Sequence, residues 1–375
     1  MFEQLGAERG LAAAALTFLV LWLLKPMAHR WNLLDFPRGR KDHAHPTPIT
    51  GGLAMVVGVV VVSLSMLGNP TQSMLAFCIC SVLLIIVGLA DDRYDLRWYW
   101  RVLAQVVAAL IMVHAGGVRV EQLGPVFGLE PTSLGMLSVP FTVFATVGII
   151  NAINMIDGAD GLAGMLVAAA LLMLMAAALY SGNVLIAQRM MILLGAVAAF
   201  LVFNMRFPWQ RKAKIFMGNA GSAFLGFVIA WMAFRLTQNP GHPVNPVLAL
   251  WFVPVPVMDC LVLMVRRICQ RKSPFIADRN HIHHLMMEGG FGPTQAACAL
   301  AFFSLVCGLV AGQAMRLDVP HPWLLAAFFA MCAGWFWLTA HRARAICLFR
   351  SLYATRLLGW RKDGPADPPH LVDRA

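Results

Sequence analysis

The sequence has little charge. Only 13% of its 375 residues are Asp, Glu, Lys or Arg, whereas soluble domains contain roughly a quarter. Hydrophobic residues make up 59% of the chain, and the mean hydropathy is +0.71. This composition excludes a soluble globular protein. The sequence also has no internal repeat, no low-complexity linker and no polar domain, so we expect a single membrane domain over residues 1–375.

Long apolar runs fill most of the chain. A helix needs roughly 20 apolar residues to cross a bilayer, and the chain offers about eleven such runs. They are centred near Leu16, Val60, Leu83, Ala108, Ala145, Leu171, Ala196, Ile229, Val255, Leu305 and Ala330. Because the runs are continuously apolar rather than alternating, they predict an all-α polytopic membrane protein with about 11 transmembrane helices. A signal peptide is the alternative for the first run, although no small-residue cleavage site precedes Lys25-Pro26.

Acidic residues are scarcer than basic ones. The chain has 18 Asp and Glu against 29 Lys and Arg, which gives a formal charge of +11. Nearly all the basic residues lie in six segments that can share one side of the membrane. These segments are near 25–50, 91–100, 151–164, 205–222 and 266–292, together with the tail 341–375. The positive-inside rule makes this side cytoplasmic and places the N-terminus outside. The charge therefore reflects topology and attraction to anionic lipid headgroups, and it requires no nucleic acid.

Paired cysteines are missing from the predicted outer segments. All eight cysteines lie in predicted spans or on the cytoplasmic side, so we expect no disulfides. Cys78 and Cys80 are separated by one residue inside an apolar run, where they have no further partner. Such cysteines usually serve packing rather than metal binding.

Two strings of acidic and amide residues lie where apolar runs end. They are Asp91 and Asp92 after one run, and Asn151, Asn154, Asp157 and Asp160 after another. The members of the second string are three residues apart, so we expect them to form one polar stripe on a helical turn. Carboxylates at a membrane are costly to bury and usually mark a substrate or ion site. Together with nearby glycines, they predict a divalent metal and a phosphorylated substrate; the alternatives are a polar helix end and a polar turn.

Three further strings are candidates for ligand contact. Phe216 to Ser222 opens a span with small residues, whose N–H groups can face a phosphate, although many membrane helices begin this way. Arg279 to His284 contains three histidines, but His281 and His283 would point apart on a helix and no third-ligand pattern follows. Contact with an anion or sugar is therefore favoured over zinc, with a solvated basic loop as the alternative. His45 is a weaker candidate.

Asp259 stands alone inside the ninth apolar run. An acid within a membrane span suggests a proton site. The alternative is that it pairs towards Arg266, about two turns further along the same helix.

In order and spacing, these strings resemble the polyprenyl-phosphate N-acetylhexosamine-1-phosphate transferases (MraY/WecA-like). The resemblance runs from about Lys25 to Phe291 and rests on Asp91-Asp92, N-A-I-N-M-I-D-G-A-D-G-L, F-M-G-N-A-G-S and S-P-F-I-A-D-R-N-H-I-H-H. The late H-I-H-H string is similar to the WecA branch, the undecaprenyl-phosphate N-acetylglucosaminyl 1-phosphate transferases. The MraY branch, which makes the first lipid precursor of peptidoglycan, tends to carry three consecutive histidines there.

The resemblance implies an enzyme of the bacterial inner membrane, a glycosyl-1-phosphate transferase. Undecaprenyl phosphate would attack the β-phosphorus of UDP-N-acetylglucosamine or another UDP-N-acetylhexosamine. UMP would leave, in the first membrane step of a cell-surface polysaccharide such as O-antigen. Because two polyanions must meet, a divalent cation that neutralises both supplies much of the catalysis. The implied cofactor is Mg²⁺, or Mn²⁺, and a homodimer is left open.

The resemblance also implies residue roles. Asp91 and Asp92 would bind the metal or activate the lipid phosphate, and Asn154 would reach the metal or the pyrophosphate. Asp157 and Asp160 would complete the catalytic set by holding the nucleotide. The implied substrate-binding residues are Asn151, Asn154, Phe216, which would stack on uracil, and Arg279, His281, His283, His284 and His45; the implied metal ligands are Asp91, Asp92, Asn154 and Asn219.

Asn219 departs from the family pattern, which carries Asp at this position as a principal metal ligand. An amide keeps a carbonyl oxygen but loses a full negative charge. Three interpretations follow: an inactivating substitution, a natural variant that relies on Asp91 and Asp92, or a non-catalytic relative that binds lipid or nucleotide. A membrane transporter is the rival class, but transporters place their key charges near the bilayer midplane and in repeated halves.

Overall fold

The computed structural model describes residues 6–36, 46–66, 69–126, 131–239, 241, 244–273 and 279–355. Helices dominate this part of the chain. Their order is α1 Ala7–Arg30, α2 Gly51–Met66, α3 Gln72–Tyr94, α4 Trp98–His114, α5 Ser138–Ile156, α6 Leu162–Tyr180, α7 Val184–Asn204, α8 Gly218–Thr237, α9 Leu248–Phe252, α10 Pro254–Cys269, α11 Ile282–Glu288, α12 Pro293–Arg316, α13 His321–Ala340 and α14 Arg342–Ala354. Two short strands, β1 Leu34–Asp35 and β2 Thr47–Pro48, pair antiparallel.

The predicted all-α membrane architecture is confirmed. Each of the eleven predicted centres lies in a helix, and eight helices are long and apolar enough to span a bilayer: α1, α3, α5, α6, α7, α8, α12 and α13. α2 and α4 are shorter apolar helices. The ninth run is divided at Val253 into α9 and α10, because Pro254 and Pro256 lack the N–H groups that would continue a helix. Eleven full-length spans therefore remain a prediction.

α8 is the central helix of the bundle. Its side chains are buried on nearly every face, among them Phe224, Phe227 and Trp231, as expected for a helix that is apolar all round. α3 and α8 approach closely because Gly88 has no side chain: a Cβ there would lie 2.3 Å from the Cα atom of Ala220. This contact brings the end of α3 to the beginning of α8.

The segment before α2 is tied to the segment before α8. The N–H of Phe216 donates to the carbonyl of Pro48 at 2.8 Å, and the N–H of Gly51 donates back to the carbonyl of Phe216 at 3.0 Å. The N–H of Gly52 donates to the carbonyl of Met217 at 3.1 Å. β2 therefore holds Phe216 in place at the mouth of the bundle.

The beginning of the predicted basic tail forms α14, which braces α11. Phe349 of α14 lies beside Phe291, with ring centroids 6.3 Å apart. Arg342 donates to the carbonyl oxygen of Arg279 at 2.8 Å and pairs with Glu288 at the end of α11. Residues 356–375 of the tail lie outside the described residues.

Candidate active site

A cavity of about 830 Å³ opens at one end of the bundle, where α3 and α5 end and α8 begins. Most of the site residues predicted from the sequence line it: Asp91, Asp92, Asn154, Asp157, Asp160, Phe216, Asn219 and His284. Asn151 lies on a much smaller pocket that shares Asp91, Asn154 and Asn219 with the large cavity. The fold therefore brings together residues from four separate strings of the sequence, although their individual roles remain predictions.

The expected polar stripe is interrupted. α5 ends at Ile156, and Gly161 adopts a φ of +80° just before α6, a conformation that suits glycine. Asn151 lies within α5 and faces α4, where its amide donates to Gln105 at 2.8 Å. Asn154, Asp157 and Asp160 remain together on the cavity wall. The prediction of one continuous stripe was wrong because the string spans a helix end and a turn.

Asp92 accepts the first hydrogen-bond donors of α8. Its carboxylate accepts the N–H of Asn219 at 2.9 Å and the N–H of Ala220 at 3.3 Å. The positive end of the α8 dipole therefore compensates an acid that would be unfavourable at the end of α3. In this structure Asp92 engages two of the N–H groups that the sequence suggested for a phosphate.

Asp91 belongs to a network of amides and one guanidinium. Its Oδ2 accepts Asn219 Nδ2 at 2.8 Å and Arg101 at 3.3 Å. Asn154 Nδ2 donates to Asn219 Oδ1 at 3.0 Å and to the Ser222 hydroxyl at 2.8 Å. Asn219 thus connects Asp91 to Asn154, and its amide occupies the middle of the network.

Sequence reasoning missed Arg101 and Gln105. Both lie in α4, and both line the smaller pocket. Their spacing of four places them on one face of that helix, which is the pattern that identifies them as neighbours.

Asp157 and Asp160 lie in different electrostatic surroundings. Burial, and then the negative charges of Asp92 and Asp160, raise the pKa of Asp157 to about 7. Asp160 has a cationic partner, because Arg206 Nε donates to its carboxylate at 2.6 Å and the N–H of Ala213 donates at 3.3 Å. The cavity therefore carries an excess of negative charge around Asp157.

The donor set of the cavity fits a hard divalent cation. Asp91 and Asp92 offer carboxylate oxygens, and Asn154 and Asn219 offer amide oxygens, the ligand types that Mg²⁺ takes. A bound cation would also relieve the repulsion that raises the pKa of Asp157. Within the described residues, no three His, Cys, Asp or Glu side chains converge in a metal-binding group. A metal here would therefore rely on two carboxylates supplemented by amides.

The three histidines are packed together at another wall of the site. The rings of His281 and His283 lie 5.6 Å apart at 24°, and those of His283 and His284 lie 4.1 Å apart. The expectation that His281 and His283 point apart was wrong, because α11 begins at Ile282 and His281 precedes it in an extended conformation. Only His284 of the three lines the large cavity.

His283 is fully buried beneath the loop that holds the two acids. A Cβ on Gly158 would lie 2.4 Å from His283 Nε2, so this loop rests directly on the imidazole. Burial, and then the neighbouring His284 and His281, lower the pKa of His283 well below its ordinary value. The ring is therefore neutral at physiological pH.

The remaining predicted residues lie apart from the large cavity or outside the described chain. Arg279 is exposed, and its carbonyl oxygen accepts Arg342. His45 lies outside the described residues. Asp259 does not pair towards Arg266 as the sequence suggested: its carboxylate accepts His281 at 2.7 Å, while Arg266 donates to Thr339 at 2.7 Å.

Comparisons with known proteins identify the family of the chain. Residues 74–237 match the model of glycosyl transferase family 4. The chain is similar to proteins named undecaprenyl-phosphate alpha-N-acetylglucosaminyl 1-phosphate transferase. That of Yersinia pestis is 31% identical over 337 residues, covering 90% of this chain and 92% of the relative. That of Salmonella typhi is 31% identical, covering 93% and 95%. That of Haemophilus influenzae is 36% identical, covering 78% and 82%.

Proposed function

The chain belongs to glycosyl transferase family 4, and from this premise we propose that it transfers N-acetylglucosamine 1-phosphate from UDP-N-acetylglucosamine to undecaprenyl phosphate, with release of UMP. The protein is an integral membrane phosphotransferase. The observation that carries the proposal is the cavity in which Asp91, Asp92 and Asn154 meet Asp157 and Asp160 at one end of an apolar bundle. A lipid-borne phosphate and a water-soluble nucleotide can meet only at such an end.

The residues of the cavity supply positioning and charge balance. A phosphate monoester has a second pKa near 6, so the lipid phosphate is largely ionised and requires no strong base. Asp91 and Asp92, with the amide oxygens of Asn154 and Asn219, would hold a Mg²⁺ ion, which neutralises the two phosphate groups. Arg101 lies beside Asp91 at 3.3 Å and adds a fixed positive charge. Catalysis then depends on orientation and electrostatics.

The donor nucleotide would occupy the opposite part of the cavity. Asp157 and Asp160 hold the nucleotide, and Phe216 offers an aromatic face for uracil at the mouth. His284 faces the sugar and its phosphates, and the buried His281 and His283 support it from behind. Asn151 and Arg279 would support these contacts from the periphery, and His45 completes the proposed substrate-binding set.

The cavity would open to the bacterial cytoplasm, where UDP-sugars occur. Exposed basic residues surround this end, including Arg211, Lys212 and Arg271, as the positive-inside rule requires of a cytoplasmic face. A reporter fused after Arg350 should therefore be cytoplasmic, as should a cysteine label placed at Arg271 in a cysteine-free background. Labelling of either position from the outer face would contradict this orientation.

A catalytically impaired relative is the second candidate. Asn219 favours it, because an amide in the centre of the Asp91 network replaces the carboxylate of the family pattern. The same fold and substrate cavity would then bind nucleotide and lipid without turnover.

The deciding experiment measures UMP release by purified protein with undecaprenyl phosphate, Mg²⁺ and a panel of UDP-sugars. UDP-N-acetylglucosamine should be turned over far better than UDP-muramoyl-pentapeptide, since the histidine segment offers short-range donors rather than room for a peptide. Preference for the peptide donor would reject the sugar assignment while leaving the reaction class intact. Absence of UMP with every sugar, together with measurable nucleotide binding, would favour the impaired relative.

A further inference from the structure

Asp259 is a buried carboxylate that the proposed reaction does not use. It lies in α10, is 2% exposed and accepts hydrogen bonds from two other segments. Oδ2 accepts His281 Nδ1 at 2.7 Å, and Oδ1 accepts the Ile282 N–H at 3.1 Å and Trp335 Nε1 at 3.2 Å. A carboxylate accepts about four hydrogen bonds, so this group is almost fully engaged within the protein.

These hydrogen bonds fix the beginning of α11. His281 immediately precedes the helix, and Ile282 is its first residue. α11 has only seven residues, and helices this short are marginal without outside contacts. Its first N–H groups also need acceptors that the helix cannot supply. Asp259 supplies one of these acceptors from α10 and therefore anchors α11 to the bundle.

α11 connects Asp259 to the cavity. His284 lines the cavity wall, and its ring lies 4.1 Å from that of His283. His283 in turn supports Gly158, which lies between Asp157 and Asp160 on the chain. Two packing contacts therefore connect the Asp259 anchor to the predicted nucleotide-binding acids.

We propose that Asp259 is a positioning residue for the nucleotide-sugar end of the cavity. It acts through His281 and the first N–H of α11, and it sets the positions of His284 and of the Asp157–Asp160 loop. Because a carboxylate can only accept, it also selects the His281 tautomer that carries its proton on Nδ1. The inference rests on the proposed function of the cavity.

The principal test is Asp259→Asn in the purified full-length protein. One oxygen becomes an NH₂ group, which cannot accept from His281 Nδ1 or from the Ile282 N–H. The KM for UDP-N-acetylglucosamine should rise at least tenfold, while the KM for undecaprenyl phosphate stays within twofold. Hydrogen–deuterium exchange of the amides of residues 282–288 should become faster, because α11 has lost its anchor.

Thr339→Val is the matched control. Thr339 lies one turn after Trp335 in α13 and accepts Arg266 at 2.7 Å, so the substitution breaks a neighbouring polar contact between α10 and α13 without touching Asp259. Both KM values and the exchange of α11 should stay within twofold of the wild type. Equal effects of Thr339→Val and Asp259→Asn would overturn the proposal, since any loosening of these helices would then suffice.

A double variant tests whether Asp259 acts through His281. In the double variant Asp259→Asn with His281→Ala, the KM for UDP-N-acetylglucosamine should exceed that of the worse single variant by no more than about twofold. The reason is that substitutions of residues that act as one unit do not have additive effects. Effects that multiply would overturn the proposal. If Asp259→Asn does not yield folded protein, two substitutions of His281 replace it. His281→Asn keeps a hydrogen-bond donor for Asp259, whereas His281→Ala does not. The amides of α11 should therefore exchange more slowly in His281→Asn than in His281→Ala.

The exchange measurement separates this inference from the proposed function. A wild-type protein that releases no UMP, with α11 amides that still exchange faster in Asp259→Asn, would refute the function but retain the anchoring role. Unchanged exchange in Asp259→Asn would overturn the positioning role whatever the kinetics show.

Discussion

Asp92 and Asp259 make the same kind of contact in two regions of the molecule. Each is an aspartate in a helix of the bundle, and its carboxylate accepts N–H groups at the beginning of another helix: Asp92 those of Asn219 and Ala220 in α8, Asp259 that of Ile282 in α11. They differ in what else surrounds them. Asp92 lines the large cavity, whereas Asp259 is buried and also holds His281 and Trp335.

This difference shows which features of a carboxylate in the bundle decide its role. An acid in a span signals function by default, but its remaining hydrogen-bonding capacity and its access to a cavity decide what that function is. Asp92 keeps lone pairs that a ligand can reach, so a direct contact is expected. The carboxylate of Asp259 already accepts three hydrogen bonds from protein donors, so its influence on the reaction is indirect.

The largest expected effect is at the cavity acids. Asp92→Asn or Asp91→Asn should lower turnover at least about a hundredfold, because each substitution removes a charged side chain that lies next to the reacting phosphates. UMP release by variants that insert normally is the measurement. Asp318→Asn is the matched control: Asp318 is an exposed acid with a φ of +50°, which Asn tolerates, and its substitution should leave the rate unchanged. Near-normal turnover of both cavity variants would remove the basis for distinguishing Asp92 from Asp259.

Asn219→Asp should produce the next largest effect, and in the opposite direction. The new carboxylate can bind Mg²⁺ but cannot donate to Asp91 as Asn219 Nδ2 does. Turnover at low Mg²⁺ should therefore rise about tenfold, equivalent to about 1.4 kcal/mol, with a smaller gain at saturating Mg²⁺. Without Mg²⁺ the neighbouring carboxylates repel, so thermal stability should fall and be restored by the ion.

Removing Asp92 as well should abolish the gain from Asn219→Asp, since one new ligand cannot hold the ion alone. An unchanged Mg²⁺ dependence in the single variant would show that position 219 does not contact the metal. The departure from the family pattern would then be incidental.

The smallest effect is expected at Arg206. It pairs with Asp160 at 2.6 Å but is partly exposed to solvent, and such pairs contribute up to about 1 kcal/mol. Arg206→Gln should therefore raise the KM for UDP-N-acetylglucosamine by no more than about fivefold. Arg211→Gln, an exposed residue of the same loop, should have no effect. A hundredfold loss in Arg206→Gln would mean that Arg206 contacts the substrate directly.

Much of the fold could be predicted from the sequence because each predicted apolar run is centred in a helix, and eight of these helices in the described part of the chain are long and apolar enough to span a bilayer. Pro254 and Pro256 also indicate the break between α9 and α10, but a hydropathy pattern alone does not predict it. The acids of the site were predictable because each string closes a membrane helix, and helices that end on one side bring their ends together.

The parts of the site that could not be predicted depend on packing between distant segments. Arg101 reaches Asp91 because α4 turns back along α3, and Asp259 reaches His281 across 22 positions of the chain. A helical periodicity could not place His281, since the residue lies just before the helix. These pairings follow from helix positions that only the folded bundle defines.

The cavity around Asp92 is proposed to join a lipid phosphate to a nucleotide sugar. UMP release from UDP-N-acetylglucosamine, measured with and without undecaprenyl phosphate in the wild type and in Asp92→Asn, decides whether it does. UMP should appear only when both substrates and Mg²⁺ are present, and the Asp92→Asn protein should release it at least about a hundredfold more slowly. UMP release without the lipid phosphate, or an undiminished rate in Asp92→Asn, would contradict the account.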